Sequence, residues 1–161
     1  MGTSTIQGQE DLLGFGDDVK ATFTGTGTLN LNSKCTDPNA WPVVLNTHNG
    51  AEVTLNGPTV NVNGEVTFEA QDGWPIALNV DRGCHLIVNK GKLNVNAKNY
   101  NSAVMLNGNY TQNGGEVTVI SDNEYAGFFY DEQERLNNFQ VFAMSSKGSP
   151  PWLPCAAPPC P

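Results

Sequence analysis

Apolar and polar residues alternate along two short runs that meet at Gly91, in the stretch HLIVNKGKLNVNA that starts at His85. The same design occurs three more times, as ATFTGTGTLNLNS, EVTLNGPTVNVNG and NYTQNGGEVTVIS. Superposing the second runs aligns one apolar position of every repeat, at intervals of 31, 33 and 24 residues: Leu29, Val60, Leu93 and Val117. Because side chains along a strand alternate between its two faces, this pattern predicts two half-buried strands in each repeat.

A third apolar run completes each repeat after a loop of variable length. These runs are WPVVL, WPIAL, SAVML and a degraded YAGFF, and asparagine follows the first three, at Asn46, Asn79 and Asn107. Self-similarity at this period indicates a solenoid. The sequence therefore predicts an all-β, single-domain parallel β-helix of about four coils, with three short strands per coil. Outward asparagine and threonine side chains are expected to stack and to hydrogen-bond from coil to coil.

An antiparallel β-sandwich is the alternative fold, because five Asn-Gly pairs are good hairpin signals. They begin at Asn49, Asn56, Asn63, Asn107 and Asn113. A bend recurs at the same place in all four repeats, however, at Gly27, Pro58, Gly91 and Gly115. A sandwich does not need the same bend four times over, so this recurrence favours the β-helix.

The flanks of the chain differ in composition from the repeats, which occupy residues 20–129. Residues 1–19 are interpreted as a polar N-terminal arm that either caps the first coil or docks on a neighbour. Residues 130–147 are predicted to form a C-terminal cap, with a short helix over 132–138 and a last strand over 139–144. Residues 148–161 hold six prolines, which predict an extended polyproline-II tail without helix or strand.

Charge and hydropathy limit the partners of this chain. The net charge is −8, from 8 Lys and Arg residues against 16 Asp and Glu residues. A nucleic-acid partner and an anionic membrane are therefore not expected. No apolar run is long enough for a transmembrane helix, and the N-terminus lacks the basic and apolar regions of a secretion signal.

Residues with catalytic or metal-binding chemistry form no recognisable pattern. The cysteines include no CxxC pair, so free thiols are favoured over a zinc site or a disulfide: Cys35, Cys84, Cys155 and Cys160. Neither His48 nor His85 has a Ser or Asp partner at a triad spacing. Glu69 and Asp72 are the best acids for glycoside cleavage, but they do not recur as an acidic column. The sequence predicts no enzyme, no cofactor and no metal.

Two sets of apolar side chains are candidates for binding. Trp41 and Trp74 occupy the same place in successive repeats, and each precedes a proline. If exposed, such a pair suits sugar rings, whereas if buried it closes a corner of the coil. The second set lies in the flanks and in the last repeat, and comprises candidate contacts with other subunits: Leu12, Phe15, Phe128, Phe129, Tyr130, Trp152 and Leu153.

The repeats GTLNLNS and PTVNVNG, followed by WPVVLN and WPIALN, resemble right-handed β-helix repeats of two groups of proteins. One group comprises bacterial surface and carbohydrate-binding proteins, and the other the short β-helical modules of bacteriophage virions. The resemblance covers about residues 20–129 and assigns no functional residue. The compact size and the polar arms look more like the virion group.

That resemblance implies a non-enzymatic structural or attachment protein of a phage particle, either a capsid decoration protein or a tail fibre or spike. It also implies a homotrimer whose partners are other virion proteins or copies of itself. The alternative is a carbohydrate-binding module of the bacterial cell surface, with surface glycans as ligands. A polysaccharide-cleaving enzyme is the least favoured function.

Overall fold

The chain folds entirely as β-strands and loops over the residues that the computed structural model describes, which are 1–68, 75–122, 126–129, 136–137, 141–145 and 152–154. The N-terminal flank contains β1 (Thr3–Gly8) and β2 (Leu13–Phe15). The repeats contain β3 (Lys20–Thr24), β4 (Thr28–Cys35), β5 (Val43–Thr47), β6 (Glu52–Val66), β7 (Ile76–Val80), β8 (His85–Lys98), β9 (Ser102–Leu106), β10 (Asn109–Gln112), β11 (Glu116–Ser121) and β12 (Gly127–Phe129). The C-terminal flank contains β13 (Leu136–Asn137), β14 (Val141–Ser145) and β15 (Trp152–Pro154).

Successive repeats stack through parallel strand pairing. The first and second apolar runs form one sheet, in which β6 pairs with β3 and β4 on one side and with β8 on the other. Its register joins Leu29 to Val60, Val60 to Leu93 and Leu93 to Val117. The alignment made from the apolar alternation is thus confirmed. Every strand pair among the described residues is parallel, which excludes the antiparallel sandwich.

The third runs form a second sheet, ordered β2-β5-β7-β9-β12-β15. Leu45 pairs with Leu78 as the sequence predicts, but Leu78 then pairs with Val104 rather than with Leu106. The third repeat is therefore shifted by two residues, and Asn107 does not continue the position of Asn46 and Asn79. A shift of two leaves the same side chains facing inward, so the apolar pattern could not reveal it.

The core lies between the two sheets and consists of aliphatic columns. Leu31, Val62 and Val95 are aligned in three neighbouring strands, and each is fully buried. At about 25 cal/mol per Å² of buried apolar surface, such columns are the main stabilising contribution. In β6 and β8 the residues between the column positions face outward and most of them are polar, so one face of these strands is buried and the other is in contact with solvent.

A column of glycines allows the backbone to bend between the first and second runs. Gly25, Gly57, Gly91 and Gly115 all have positive φ angles, of 97°, 134°, 93° and 77°. A Cβ on Gly91 would collide with the carbonyl oxygen of Pro58 in the repeat below. In the first repeat the residue with positive φ is Gly25, two residues before Gly27, which the sequence alignment marks as the bend. In the second repeat it is Gly57, one residue before the marked Pro58.

The N-terminal flank continues the stack by one more layer. Strand β1 pairs in parallel with β4, and β2 pairs in parallel with β5. Leu12, Leu13 and Phe15 are half-buried and pack against the core. Residues 1–19 thus contribute two strands to the stack, and their role as a cap or as an arm that docks on a neighbour stays a prediction.

The C-terminal flank departs from the sequence prediction at two places. Leu136–Asn137 pairs with Tyr110–Thr111 as a short parallel strand, so the helix predicted over 132–138 is wrong at these residues. Trp152–Pro154 pairs with Gly127–Phe129, although the prolines were expected to exclude a strand. An edge strand forms backbone hydrogen bonds on one side only, so it can contain proline, which has no N–H to donate. The strand predicted over 139–144 is confirmed for Val141–Met144.

Candidate functional site

A groove of about 540 Å³ crosses five strands of the first sheet. Aligned positions of successive repeats build it, so three columns of residues run along its length. We call it the amide groove and define it by its lining: Gln7, Gly8, Asn32, Ser33, Lys34, Asn63, Gly64, Glu65, Asn96, Ala97, Lys98 and Ile120. Its volume falls within the range of about 300–1,000 Å³ that is usual for ligand sites.

An asparagine ladder forms one wall of the groove. The side-chain Nδ2 of Asn63 donates to Oδ1 of Asn32 at 2.9 Å, and Nδ2 of Asn96 donates to Oδ1 of Asn63 at 2.9 Å. Gln7 and Ile120 occupy the next positions of this column, one strand before and one strand after. The ladder exists because strictly parallel, in-register stacking holds equivalent side chains about 4.8 Å apart.

Charged side chains form the opposite wall. Nζ of Lys34 and Nζ of Lys98 both lie 3.3 Å from the same carboxylate oxygen of Glu65. The hydrogen bond from Lys34, and then the one from Lys98, lowers the pKa of Glu65. All three side chains are partly exposed, so these pairs are worth little in stability. The wall thus presents two cations and one anion, with a net charge of +1.

The floor between the two walls is made of small residues. Ser33, Gly64 and Ala97 are aligned in three strands and are buried. Gly64 has no room for a side chain, because a Cβ there would lie 2.5 Å from the ring of Tyr100. Tyr100 is 1% exposed, and its burial raises its pKa to about 12. The floor is therefore flat and mostly apolar, supported from below by a buried ring.

A second asparagine ladder runs two residues away on the same face. Nδ2 of Asn61 donates to Asn30 at 2.7 Å, and Nδ2 of Asn94 donates to Asn61 at 2.8 Å. The predicted hydrogen bonding of stacked amides along the repeats is thus confirmed. This second ladder does not line the amide groove, so substitutions in it can serve as controls for substitutions in the groove.

The sequence analysis did not find the amide groove. Its residues are small or amide side chains without a catalytic signature, and they come from five separate strands. The signal was nevertheless present in the alignment of repeats, as a column of small residues beside a column of alternating charge: Ser33, Gly64 and Ala97, with Lys34, Glu65 and Lys98.

The two tryptophans predicted as a glycan site can be assessed only in part. Trp41 is 63% exposed in the loop before β5, whereas the proline that follows it is buried. Trp74 lies outside the described residues. The exposed ring of Trp41 agrees with the condition set for sugar binding, and the stacking of the two rings stays a prediction.

The predicted assembly residues fall into two groups. Leu12 and Phe15 are half-buried at the N-terminal end of the stack, where the ring of Phe15 meets that of Phe23 edge to face at 5.9 Å. The backbones of Phe128 and Phe129 pair with those of Leu153 and Pro154, and that of Trp152 pairs with Gly127. Tyr130 lies outside the described residues. Contacts of these residues with other subunits stay a prediction.

Residues with reactive side chains are scattered. Cys35 and Cys84 are buried free thiols, while Cys155 and Cys160 lie outside the described residues. Glu52 of β6 pairs with His85 of β8. Nε2 of His85 lies 2.9 Å from Oγ1 of Thr111, and burial lowers the pKa of His85 against the opposing charge of Glu52.

Other reactive groups add no site that the structure describes. Glu69 and Asp72, the acids considered for glycoside cleavage, lie outside the described residues. Over the part of the chain that is described, no group of three His, Cys, Asp or Glu side chains could hold a metal ion.

Comparison with known proteins yields no relative. No protein-family model, no curated protein and no solved structure matches this chain. Within the described ranges, no helix is long and apolar enough to cross a membrane.

Proposed function

We propose that this chain is a non-enzymatic structural or attachment protein that assembles through the N-terminal end of its stack. Its fold, in this proposal, is a short right-handed parallel β-helix of about four coils with three strands each. Connections between parallel strands of one sheet are right-handed in about 98% of cases, which supports that hand. The resemblance of the repeats supports a homotrimer and a place in a phage particle.

The unprotected edge of β1 is the observation that carries this proposal. Strand β1, with the sequence TSTIQG, pairs only with β4 among the described residues, so its other edge offers unpaired backbone groups. Proteins that remain monomeric usually protect such an edge with charged residues, proline or a bulge. Strand β1 contains neither a charged residue nor a proline. Its edge is therefore suited to pairing with another chain.

Apolar side chains at the same end support assembly there. Ile6 and Val19 are 39% and 44% exposed, and Phe23 and Leu29 are only partly buried against the core. Phe23 and Leu29 also line a cavity of about 280 Å³ at this end, with Pro58. A second copy of the chain would cover this surface and pair with the strand edge at the same time.

Light scattering on the purified full chain tests the proposal. We expect a homo-oligomer, with three times the monomer mass of 17.3 kDa as the favoured value. Ile6→Lys places a charge on the edge strand β1, at the position that pairs with the buried Leu31. This variant should be monomeric. The control is Asn109→Lys, at an exposed position of β10, which should leave the oligomer intact. A monomeric wild-type protein at every concentration would contradict the proposal.

A second candidate function is carbohydrate binding at Trp41, favoured by the exposure of this ring. An exposed indole next to polar loop residues offers the flat apolar surface on which sugar rings stack. Trp41→Ala should then abolish retention on a glycan matrix. Because the side chain is exposed, the same substitution should leave the melting temperature nearly unchanged. Unchanged retention would remove Trp41 from consideration.

A further inference from the structure

We propose that the amide groove binds an extended neutral polysaccharide, with its chain running across the strands. This ligand goes beyond the proposed assembly role and does not depend on it, because the groove lies on the side of the stack. It is also a different site from Trp41, which does not line the groove.

The period of the groove fits a polymer of sugar rings. Equivalent amides recur at each strand, about 4.8 Å apart. A pyranose ring in an extended glycan chain advances by about one strand spacing, so successive rings would meet equivalent groups from Asn32 to Asn96. A ligand with a different repeat would lose this match after one or two strands.

The asparagine wall has unused hydrogen-bonding capacity. Asn63 uses one N–H toward Asn32 and one lone pair toward Asn96. An amide has two N–H groups and two lone pairs on its oxygen, so one donor and one acceptor remain for a ligand. A sugar hydroxyl both donates and accepts, which matches this pair of groups.

The floor fits the apolar face of a sugar ring. The side chains of Ser33 and Ala97 lie on the buried face of the sheet and Gly64 has none, so flat backbone forms the floor between the walls. The C–H groups of a pyranose lie on the faces of the ring, whereas equatorial hydroxyls lie at its rim. A ring seated on the floor therefore directs its hydroxyls to the asparagine wall and to the charged wall.

Charge favours a neutral polymer over an acidic one. Lys34 and Lys98 share the single carboxylate of Glu65, which leaves this wall with a net charge of only +1. The whole chain has a net charge of −8, which repels a polyanion. A polyuronate would thus be opposed at long range by a net charge that outweighs the single positive charge of the wall.

Affinity electrophoresis of the full chain in native gels tests this ligand. The gels contain hydroxyethyl cellulose, xyloglucan or galactomannan as neutral polymers, or polygalacturonate as the acidic one. We expect retardation by at least one neutral polymer and none by polygalacturonate. Migration unaffected by all three neutral polymers would overturn the proposal, as would stronger retardation by polygalacturonate.

Two matched variants locate the binding site. Asn63→Thr removes the central amide of the groove, and with it the donor and the acceptor that this side chain offers to the polysaccharide. The loss of these two hydrogen bonds to the ligand should weaken retardation about tenfold or more. Asn61→Thr makes the same change in the neighbouring ladder on the same strand, outside the groove, and should bind like the wild type. Equal weakening by both variants, or weakening by Trp41→Ala but not by Asn63→Thr, would place binding elsewhere and overturn the proposal.

Discussion

Asn94 donates a hydrogen bond of 2.8 Å from its side-chain Nδ2 to Oδ1 of Asn61, one repeat earlier in the chain. Asn61 in turn donates to Asn30 at 2.7 Å. All three amides point the same way, so each one polarises the next. These bonds link neighbouring repeats through side chains, in addition to the backbone bonds of the sheet.

The ladder should therefore show energetic coupling between repeats. In a double-mutant cycle of Asn61→Ala and Asn94→Ala, we expect a coupling of about 0.5–1.5 kcal/mol in the free energy of unfolding, measured with urea. Asn109→Ala, at an exposed position outside this ladder, combined with Asn61→Ala should be additive. Additivity of Asn61→Ala with Asn94→Ala would show that the ladder does not stabilise the stack.

Gly91 should be required for the bend between the first and second runs. Its φ angle is 93°, and a Cβ would meet the carbonyl oxygens of Pro58 and Gly57. Gly91→Ala should lower the free energy of unfolding by about 2 kcal/mol or more, because it adds steric conflict to a left-handed backbone. Gly14→Ala is the control, since open space surrounds its Cβ position, and it should change stability by about 0.5 kcal/mol at most. Similar losses in the free energy of unfolding for the two variants would argue against a requirement for glycine at position 91.

Acidification should destabilise the protein in part through His85. Burial lowers the pKa of His85 from its ordinary value of 6.5, so below that pH the unfolded chain binds a proton more readily than the folded one. Above pH 6.5 His85 is neutral in the folded and in the unfolded chain, and the protein keeps its full stability. As the pH falls below 6.5, the unfolded chain takes up the proton first, which lowers the free energy of unfolding. Urea unfolding between pH 7.5 and 5.5 should show a steeper loss for the wild type than for His85→Gln. Parallel pH profiles would contradict this role of His85.

The first sheet could be predicted from the sequence, and the second only in part. In the first sheet, one aligned apolar residue of each repeat comes after a bend and directly before Asn or Thr, so two independent signals fix the register: Leu29, Val60, Leu93 and Val117. In the second sheet, β9 has only its apolar alternation. A shift of two residues preserves that alternation, and Val104 rather than Leu106 pairs with Leu78.

The flanks were harder to predict because they lack the repeat. Strand β1 has only one apolar residue, Ile6, and becomes a strand through its pairing with β4. Leu136–Asn137 lies in the segment predicted as a short helix, yet its backbone pairs with β10. In both cases a neighbouring strand with free backbone groups outweighs local preference. The amide groove was missed for a related reason, since only stacking brings its residues together.

Coverage of the N-terminal edge by another copy is the central claim of this account. Hydrogen–deuterium exchange of the wild-type chain, followed by mass spectrometry at high concentration and after dilution, tests it most directly. We predict that peptides containing β1 exchange slowly at high concentration and faster on dilution, while peptides of β6 and β8 do not change. Pairing of β1 with β4 lies within one chain and is independent of dilution. Exchange of β1 that is the same at both concentrations would contradict assembly through this edge.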